Sequence, residues 1–181
     1  RLINEIDVLA HLRPRDDQRQ SKVSFDVKPA RASHAPSVKS LGITGQLTGS
    51  RSDLVIADDV ESANNSATMG MRDKLSEQVK EFESILKPQG RIIFLGTMQT
   101  EMSLYNVLPT RGYKQRIWTA RYPTEKQLNN FGNTIAPFIR NSWSTEMIGK
   151  PTDAERFDEE DLFKRQLSYG SSGFNLQFML D

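Results

Sequence analysis

The sequence predicts an α/β fold, a sheet of mostly parallel strands flanked by helices. Three observations carry this expectation. Leu54-Val55-Ile56-Ala57 and Arg91-Ile92-Ile93-Phe94-Leu95 are short apolar runs of the kind that parallel sheets bury on both faces. Between them, Met71, Leu75, Val79, Phe82, Ile85 and Leu86 recur at helical spacing. Strands alternating with helices in this way imply an α/β sheet.

Taken in order, Leu2, Ile3, Ile6, Leu9 and Leu12 predict a helix over residues 1–12, ended by Pro14. Residues 13–20 read as a charged, solvated loop whose Arg13, Arg15 and Arg19 face water or touch phosphate. Residues 22–27 and 37–43 alternate apolar and polar and predict two strands, joined by a loop that carries His34. A Gly-rich polar loop, residues 44–52, then delivers the chain into the first apolar run. It lacks the Gly-Lys-Ser/Thr ending of a phosphate-cradling loop. Asn64-Asn65-Ser66 supplies caps for the helix that runs to about residue 87, where Pro88-Gln89-Gly90 stops it. A fully buried strand follows over 91–97, then a short helix over 101–108, a turn at Arg111-Gly112 and a fifth strand over 113–120. Beyond residue 123 the chain reads as a mostly helical appendage. Phe138, Ile139, Trp143, Met147 and Ile148 predict one helix there, and Asp158 caps another that runs to Tyr169 and closes at Gly170.

Composition narrows the function classes. The 181 residues suffice for one domain with a proper core, on the usual roughly 100–200 residues per domain. Lys plus Arg number 24 against 23 Asp plus Glu, a net charge of +1. That excludes a strongly basic nucleic-acid module driven by bulk charge but leaves room for a local basic groove. There is no cysteine, so disulfides and thiolate metal sites are absent and a reducing cytoplasm is the natural setting. His11 and His34 are the only histidines, which argues against a zinc site. No apolar run approaches the ~20 residues of a membrane span, and no signal peptide is visible. The chain opens at Arg1 without a methionine and carries an apolar pattern up to Asp181. The expectation is a piece of a longer protein.

Chemistry concentrates at Asp58-Asp59-Val60-Glu61, where an apolar strand ends in two adjacent carboxylates with a third acid two residues on. Open α/β sheets bind ligands at the carboxyl ends of their strands. Two carboxylates this close repel unless a cation or a shared proton lies between them. Mg²⁺ is the economical cation, and it usually comes with phosphates. This is the physical content of a Walker B element, in which one acid serves the Mg²⁺ shell and the next polarises the attacking water. The alternative is that Asp58 and Asp59 begin a turn or cap the next helix. The second strand tip offers Gly96, which permits close backbone approach, and Thr97, which can hydrogen-bond a water or phosphate or satisfy local backbone. Gln99 can do the same work. Arg51, seven positions before Asp58, fits either a charge-stabilising finger or an ordinary ion pair.

At these positions the sequence resembles the large terminase subunit of T7-like bacteriophages. Residues 42–51 (Gly-Ile-Thr-Gly-Gln-Leu-Thr-Gly-Ser-Arg) and 56–61 (Ile-Ala-Asp-Asp-Val-Glu) carry the resemblance. So do Leu95-Gly96-Thr97, residues 99–102, Leu104-Tyr105, Arg156-Phe157-Asp158, Phe174 and residues 176–180. The resemblance implies a DNA-packaging motor: an ATPase domain of the additional-strand P-loop type, followed by an RNase H-like nuclease. It implies ATP and Mg²⁺ as cofactors, with Asp58 and Asp59 as the Walker B pair and metal site. Related terminases usually carry Glu at the second position, so the base is open between Asp59 and Glu61. Gly96 and Thr97 fall on the coupling motif, with Gln99 beside them, and Arg51 falls near the arginine finger. The partners implied are double-stranded DNA, the portal protein and the small terminase subunit, in a pentameric ring at the procapsid portal in the host cytoplasm. Arg13, Arg15, Arg19 and Lys114 are the possible DNA contacts.

No Walker A loop occurs anywhere in the chain. The expected organisation is therefore the latter part of an ATPase core over residues 1–122 and a linker subdomain over 123–181, with little ATP turnover by the chain alone. Two other readings compete: a Mg²⁺-dependent nuclease with Asp58, Asp59 and Glu61 on the metal, and a non-catalytic interaction module.

Overall fold

A computed structural model describes every residue except Arg1, Gln46, Thr48 and Gln99, together with the backbone but not the side chain of Leu2. The elements are α1 (Leu2–Glu5), β1 (Ser24–Phe25), β2 (Val38–Lys39), β3 (Ser52–Asp58), α2 (Ala63–Ser66), α3 (Met69–Ile85), β4 (Leu86–Leu95), α4 (Leu104–Val107), α5 (Glu125–Phe131), α6 (Pro137–Ser142) and α7 (Glu159–Phe174). Short 3₁₀ turns cover Asp7–Leu12, Leu108–Arg111 and Gly132–Thr134, and a π-helical turn covers Asn175–Met179. Among the described residues no helix is long and apolar enough to cross a membrane. The chain forms two compact units, one from Arg1–Ile56 and Glu77–Ile93, the other from Ala57–Ser76 and Phe94–Asp181, with the boundaries inside β3, α3 and β4.

The α/β class holds, with a smaller sheet than the pattern predicted. β3 and β4 form a two-stranded sheet. They run parallel: Ser52 lies beside Gly90 near one end, and the Asp59 N–H meets the Leu95 carbonyl at the other. Neither strand is buried on both faces as predicted. Val55 is half-buried and Ala57 buried, while Leu54 and Ile56 are 44% and 58% exposed. In β4, Ile93 and Leu95 are 44% and 48% exposed and alternate with half-buried Ile92 and Phe94. An apolar run can thus keep the inside–outside alternation of a sheet covered on one side.

In the first unit, the predicted N-terminal helix is two short helical turns. Ile6 breaks it by taking extended backbone (φ −98°, ψ 115°). The two alternating segments shrink to β1 and β2, paired antiparallel as Ser24 with Lys39 and Phe25 with Val38. Side chains replace further ladder bonds: the Val27 N–H donates to Ser37 Oγ and the Ser37 N–H to Asp26 Oδ1. The arginines of the charged loop reach local carbonyls. Arg13 donates to Ile3 and Asn4, Arg15 to Lys28 and Arg19 to Ser33.

The helix predicted to reach residue 87 is split into α2 and α3. Ser62 and Asn65 form a capping box at the start of α2, with the Ser62 N–H donating to Asn65 Oδ1 at 2.8 Å. Along α3, Leu75, Val79, Phe82 and Ile85 are buried. The chain enters β4 directly at Leu86, before Pro88.

In the second unit, residues 113–120 form no strand. Ile117 makes one isolated parallel bridge to Ile135, its N–H donating to Thr134 and its carbonyl accepting from Ala136, while the Ala120 N–H donates to Phe178 and its carbonyl accepts from Thr152. Around them lie two apolar clusters. Ile117, Tyr122, Phe131, Ile135, Ala136 and Ile139 form the first, and Leu162, Phe174 and Met179 the second. The helix predicted through Phe138 to Ile148 shortens to α6, which ends at Ser142, and α5 forms upstream of it. Thr124 and Gln127 cap α5, and Pro137 opens α6. Asp158 caps α7 as predicted, accepting the Asp161 N–H at 2.8 Å. Gly170 kinks that helix (φ 67°, ψ 169°), and the helix resumes to Phe174.

Ile139→Ala and Leu162→Ala are each expected to lower stability by ~2–5 kcal/mol through lost apolar contact and a residual cavity. Phe163→Ala, at a side chain that is 55% exposed, is expected to change it by less than ~1 kcal/mol. Denaturant melts of the three variants check this.

Candidate functional site at the tips of the parallel strands

β3 and β4 end side by side. β3 ends in Asp58, and beyond the two strands the chain passes through Asp59, Val60 and Glu61 on one side and through Gly96 and Thr97 on the other. Asp58 and Asp59 are both exposed. Asp59 takes left-handed backbone (φ 45°), a region that aspartate enters at lower cost than most residues. The turn sends its N–H to the Leu95 carbonyl at 3.0 Å, satisfying the end of the ladder.

The third acid has a different fate. Glu61 is only 3% exposed. Its Oε2 accepts the Leu104 backbone N–H at 2.6 Å and the Ser103 hydroxyl at 3.0 Å. Ser103 caps α4 and accepts the Tyr105 N–H through the same hydroxyl at 3.3 Å. These charge-assisted bonds offset the cost of burying a carboxylate. Glu61 Oε1 is buried without a hydrogen-bond partner among the described residues.

Tyr105, absent from the residues singled out for chemistry, lies across the second strand tip. Its hydroxyl donates to the same Leu95 carbonyl at 3.1 Å. A Cβ on Gly96 would lie 2.0 Å from that hydroxyl oxygen and 2.3 Å from the ring carbon that bears it. Glycine is therefore dictated by the tyrosine that covers it. Burial pushes the Tyr105 phenol up to about 12; a hydrogen bond from the Glu61 backbone opposes this, and the charges of Asp59, Glu61 and Asp58 add to it. The signal that would have found Tyr105 was the Gly-Thr strand end with a serine-capped helix a few residues on, a glycine that needed a covering ring.

The structure thus brings Asp58, Asp59, Gly96 and half-buried Thr97 to one end of the strand pair and turns Glu61 inward. Arg51 belongs to the first unit, where its exposed guanidinium donates to the Ser50 carbonyl at 2.9 Å. Gln99 lies outside the described residues. Among the described residues no group of three or more His, Cys, Asp or Glu is placed to hold a metal. The donor set is instead a pair of exposed carboxylates. It fits Mg²⁺ bound through one or two carboxylates with the rest of its shell filled by water and phosphate.

A parallel strand pair flanked by helices places the chain among the α/β proteins, whose open sheets as a rule bind ligands outside the carboxyl ends of their strands. Sequence comparison is more specific. Over 187 residues the chain is 52% identical to the terminase large subunit of Enterobacteria phage T3, a match that covers 99% of the chain. The chain belongs to the terminase large-subunit family, and it spans about a third (32%) of that relative's length. No protein-family profile matches it.

Two outcomes are expected at this site. Gly96→Ala forces Tyr105 off the strand tip and costs ~1–3 kcal/mol. In a double-mutant cycle with Tyr105→Ala the two losses are expected to be clearly less than additive. The Tyr105 phenol binds its proton more tightly in the folded than in the unfolded chain. Its contribution to stability is therefore full below about pH 10 and is lost as pH rises toward about 12. Ultraviolet titration of the chain against Tyr105→Phe is expected to lose a late-ionising phenol.

Proposed function

We propose that the chain forms the Mg²⁺- and water-handling half of an ATPase site in a terminase large subunit, within a motor that drives double-stranded DNA into a procapsid. The observation that supports this best is the pair of exposed carboxylates, Asp58 and Asp59, at a parallel strand tip hydrogen-bonded to Leu95, the residue before Gly96-Thr97. The fold reading that accompanies it is the additional-strand P-loop type, with residues 123–181 as a linker subdomain. In this reading Asp58 contacts the Mg²⁺ shell and Asp59 orients and polarises the attacking water. Mg²⁺, when bound, supplies charge neutralisation at the phosphates. Thr97 holds water or phosphate at the second tip, and Arg51 is the charge-stabilising finger. Asp59 is preferred to Glu61 as the water-orienting acid because Glu61 is buried and its Oε2 already accepts two hydrogen bonds.

The chain contains no Gly-Lys-Ser/Thr phosphate loop, so the phosphate grip comes from elsewhere and turnover by these residues alone is minimal. The portal protein, the small terminase subunit and a ring of subunits are the partners in this reading. A nuclease site built on Asp58, Asp59 and Glu61 is disfavoured, because Glu61 faces the protein and no third acid joins the pair among the described residues.

The test is ATP hydrolysis by the phage T3 large subunit carrying this chain in place of the third it matches. Asp58→Ala and Asp59→Ala are each expected to lower kcat ~100-fold or more, with the isolated chain near background. Turnover that is indifferent to either substitution would overturn the assignment.

A further inference from the structure

Three links converge on the acid turn, and the chemistry assigned to Asp58 and Asp59 uses none of them. Glu61 holds the turn to the start of α4 through two hydrogen bonds to one carboxylate oxygen. Tyr105, from that same helix, reaches back to the Leu95 carbonyl, which also receives the Asp59 N–H. Gly96 gives up its side chain to let the ring lie there. The network closes a loop: acid turn to α4, α4 to the end of β4, the end of β4 to the acid turn. All of it lies within one compact unit.

Satisfying buried groups does not by itself account for this arrangement. One oxygen of Glu61 carries both bonds while the other, Oε1, is buried and unpartnered among the described residues. A buried carboxylate that leaves an acceptor unused is a poor device for stability alone. It is a good device for holding a backbone turn at a set angle, because any tilt of Asp58-Asp59 breaks a short charge-assisted bond.

We propose that Glu61 and Tyr105 are positioning residues. They lock the Asp58-Asp59 turn to α4 and to Leu95, the end of the second strand, so that the two strand tips keep a set geometry. This rests on the ATPase reading given above.

Two measurements test it. The first uses the chain itself and needs no activity. Tyr105→Phe, which removes one hydroxyl, is expected to raise amide hydrogen exchange at Asp59 by ~5-fold or more, as expected for loss of a hydrogen bond worth ~1 kcal/mol, while leaving α7 amides unchanged. Unchanged exchange at Asp59 overturns the lock. The second uses the phage T3 subunit carrying this chain. Tyr105→Phe is expected to lower kcat ~10-fold with KM for ATP within ~2-fold. Glu61→Gln, which keeps two acceptor bonds, is expected to retain more activity than Glu61→Ala. A melting temperature that falls while kcat stays at the parent value means a structural role only and overturns the proposal. Asp58→Asn separates the two readings. If it leaves turnover intact, the ATPase assignment fails and the proposal fails with it. If it abolishes turnover while Tyr105→Phe does not alter kcat, the lock alone fails.

Discussion

The carbonyl oxygen of Leu95 joins the two strand tips. The end of a strand leaves backbone groups that the ladder no longer pairs, and a buried one must find a partner or cost free energy. This oxygen accepts from the Asp59 N–H and from the Tyr105 hydroxyl, at 3.0 and 3.1 Å. Each donor imposes a condition on the sequence. To aim its N–H across the strands, the chain turns into left-handed backbone at Asp59, which favours a short polar side chain over a branched or bulky one. To reach the same oxygen, Tyr105 lies over residue 96, where the 2.0 Å approach leaves no room for a Cβ.

The same constraint sorts three acids that stand within four residues of one another. Asp58 continues the outward alternation of β3 after buried Ala57 and remains in solvent. Asp59, at the turn, is exposed as well. Past the turn the chain heads inward, and Glu61 is buried against the start of α4, where backbone and hydroxyl donors await it. Carboxylates of similar intrinsic acidity thus divide into two that are open to a cation and one that is held as an acceptor. The division follows from backbone direction, with no difference in chemistry between the groups.

Much of the local structure was readable from residue order. β3, the 91–95 part of β4 and the stripe of Leu75, Val79, Phe82 and Ile85 on α3 lie where apolar runs and helical spacing placed them, whereas residues 86–90 join β4 in place of the predicted helix end and turn; the Asp158 cap follows from one side chain accepting one free N–H of the first turn. Longer-range pairing was less accessible. Residues 113–120 have strand-like composition, yet they make only a single bridge, Ile117 to Ile135, and separate bonds from Ala120 to Phe178 and Thr152, which no local pattern announces. The short β1–β2 pair has a similar origin, since Ser37 and Asp26 side chains take backbone bonds that a longer ladder would have used. The exposed side of the sheet was also hidden, because four apolar residues in a row read the same whether one face or both is covered.

The sequence by itself determined that two carboxylates would end a strand, that a Gly-Thr pair would end another, and that a helix would separate the two. Those are properties of near neighbours, carried by hydrophobic spacing and backbone preference. Only the tertiary structure decided that Glu61 would turn away from its neighbours, that Tyr105 would cover Gly96, and that one carbonyl would receive both Asp59 and Tyr105. Those contacts join residues separated by 9 to 43 positions along the chain. They depend on where α4 packs, which no spacing within either segment encodes.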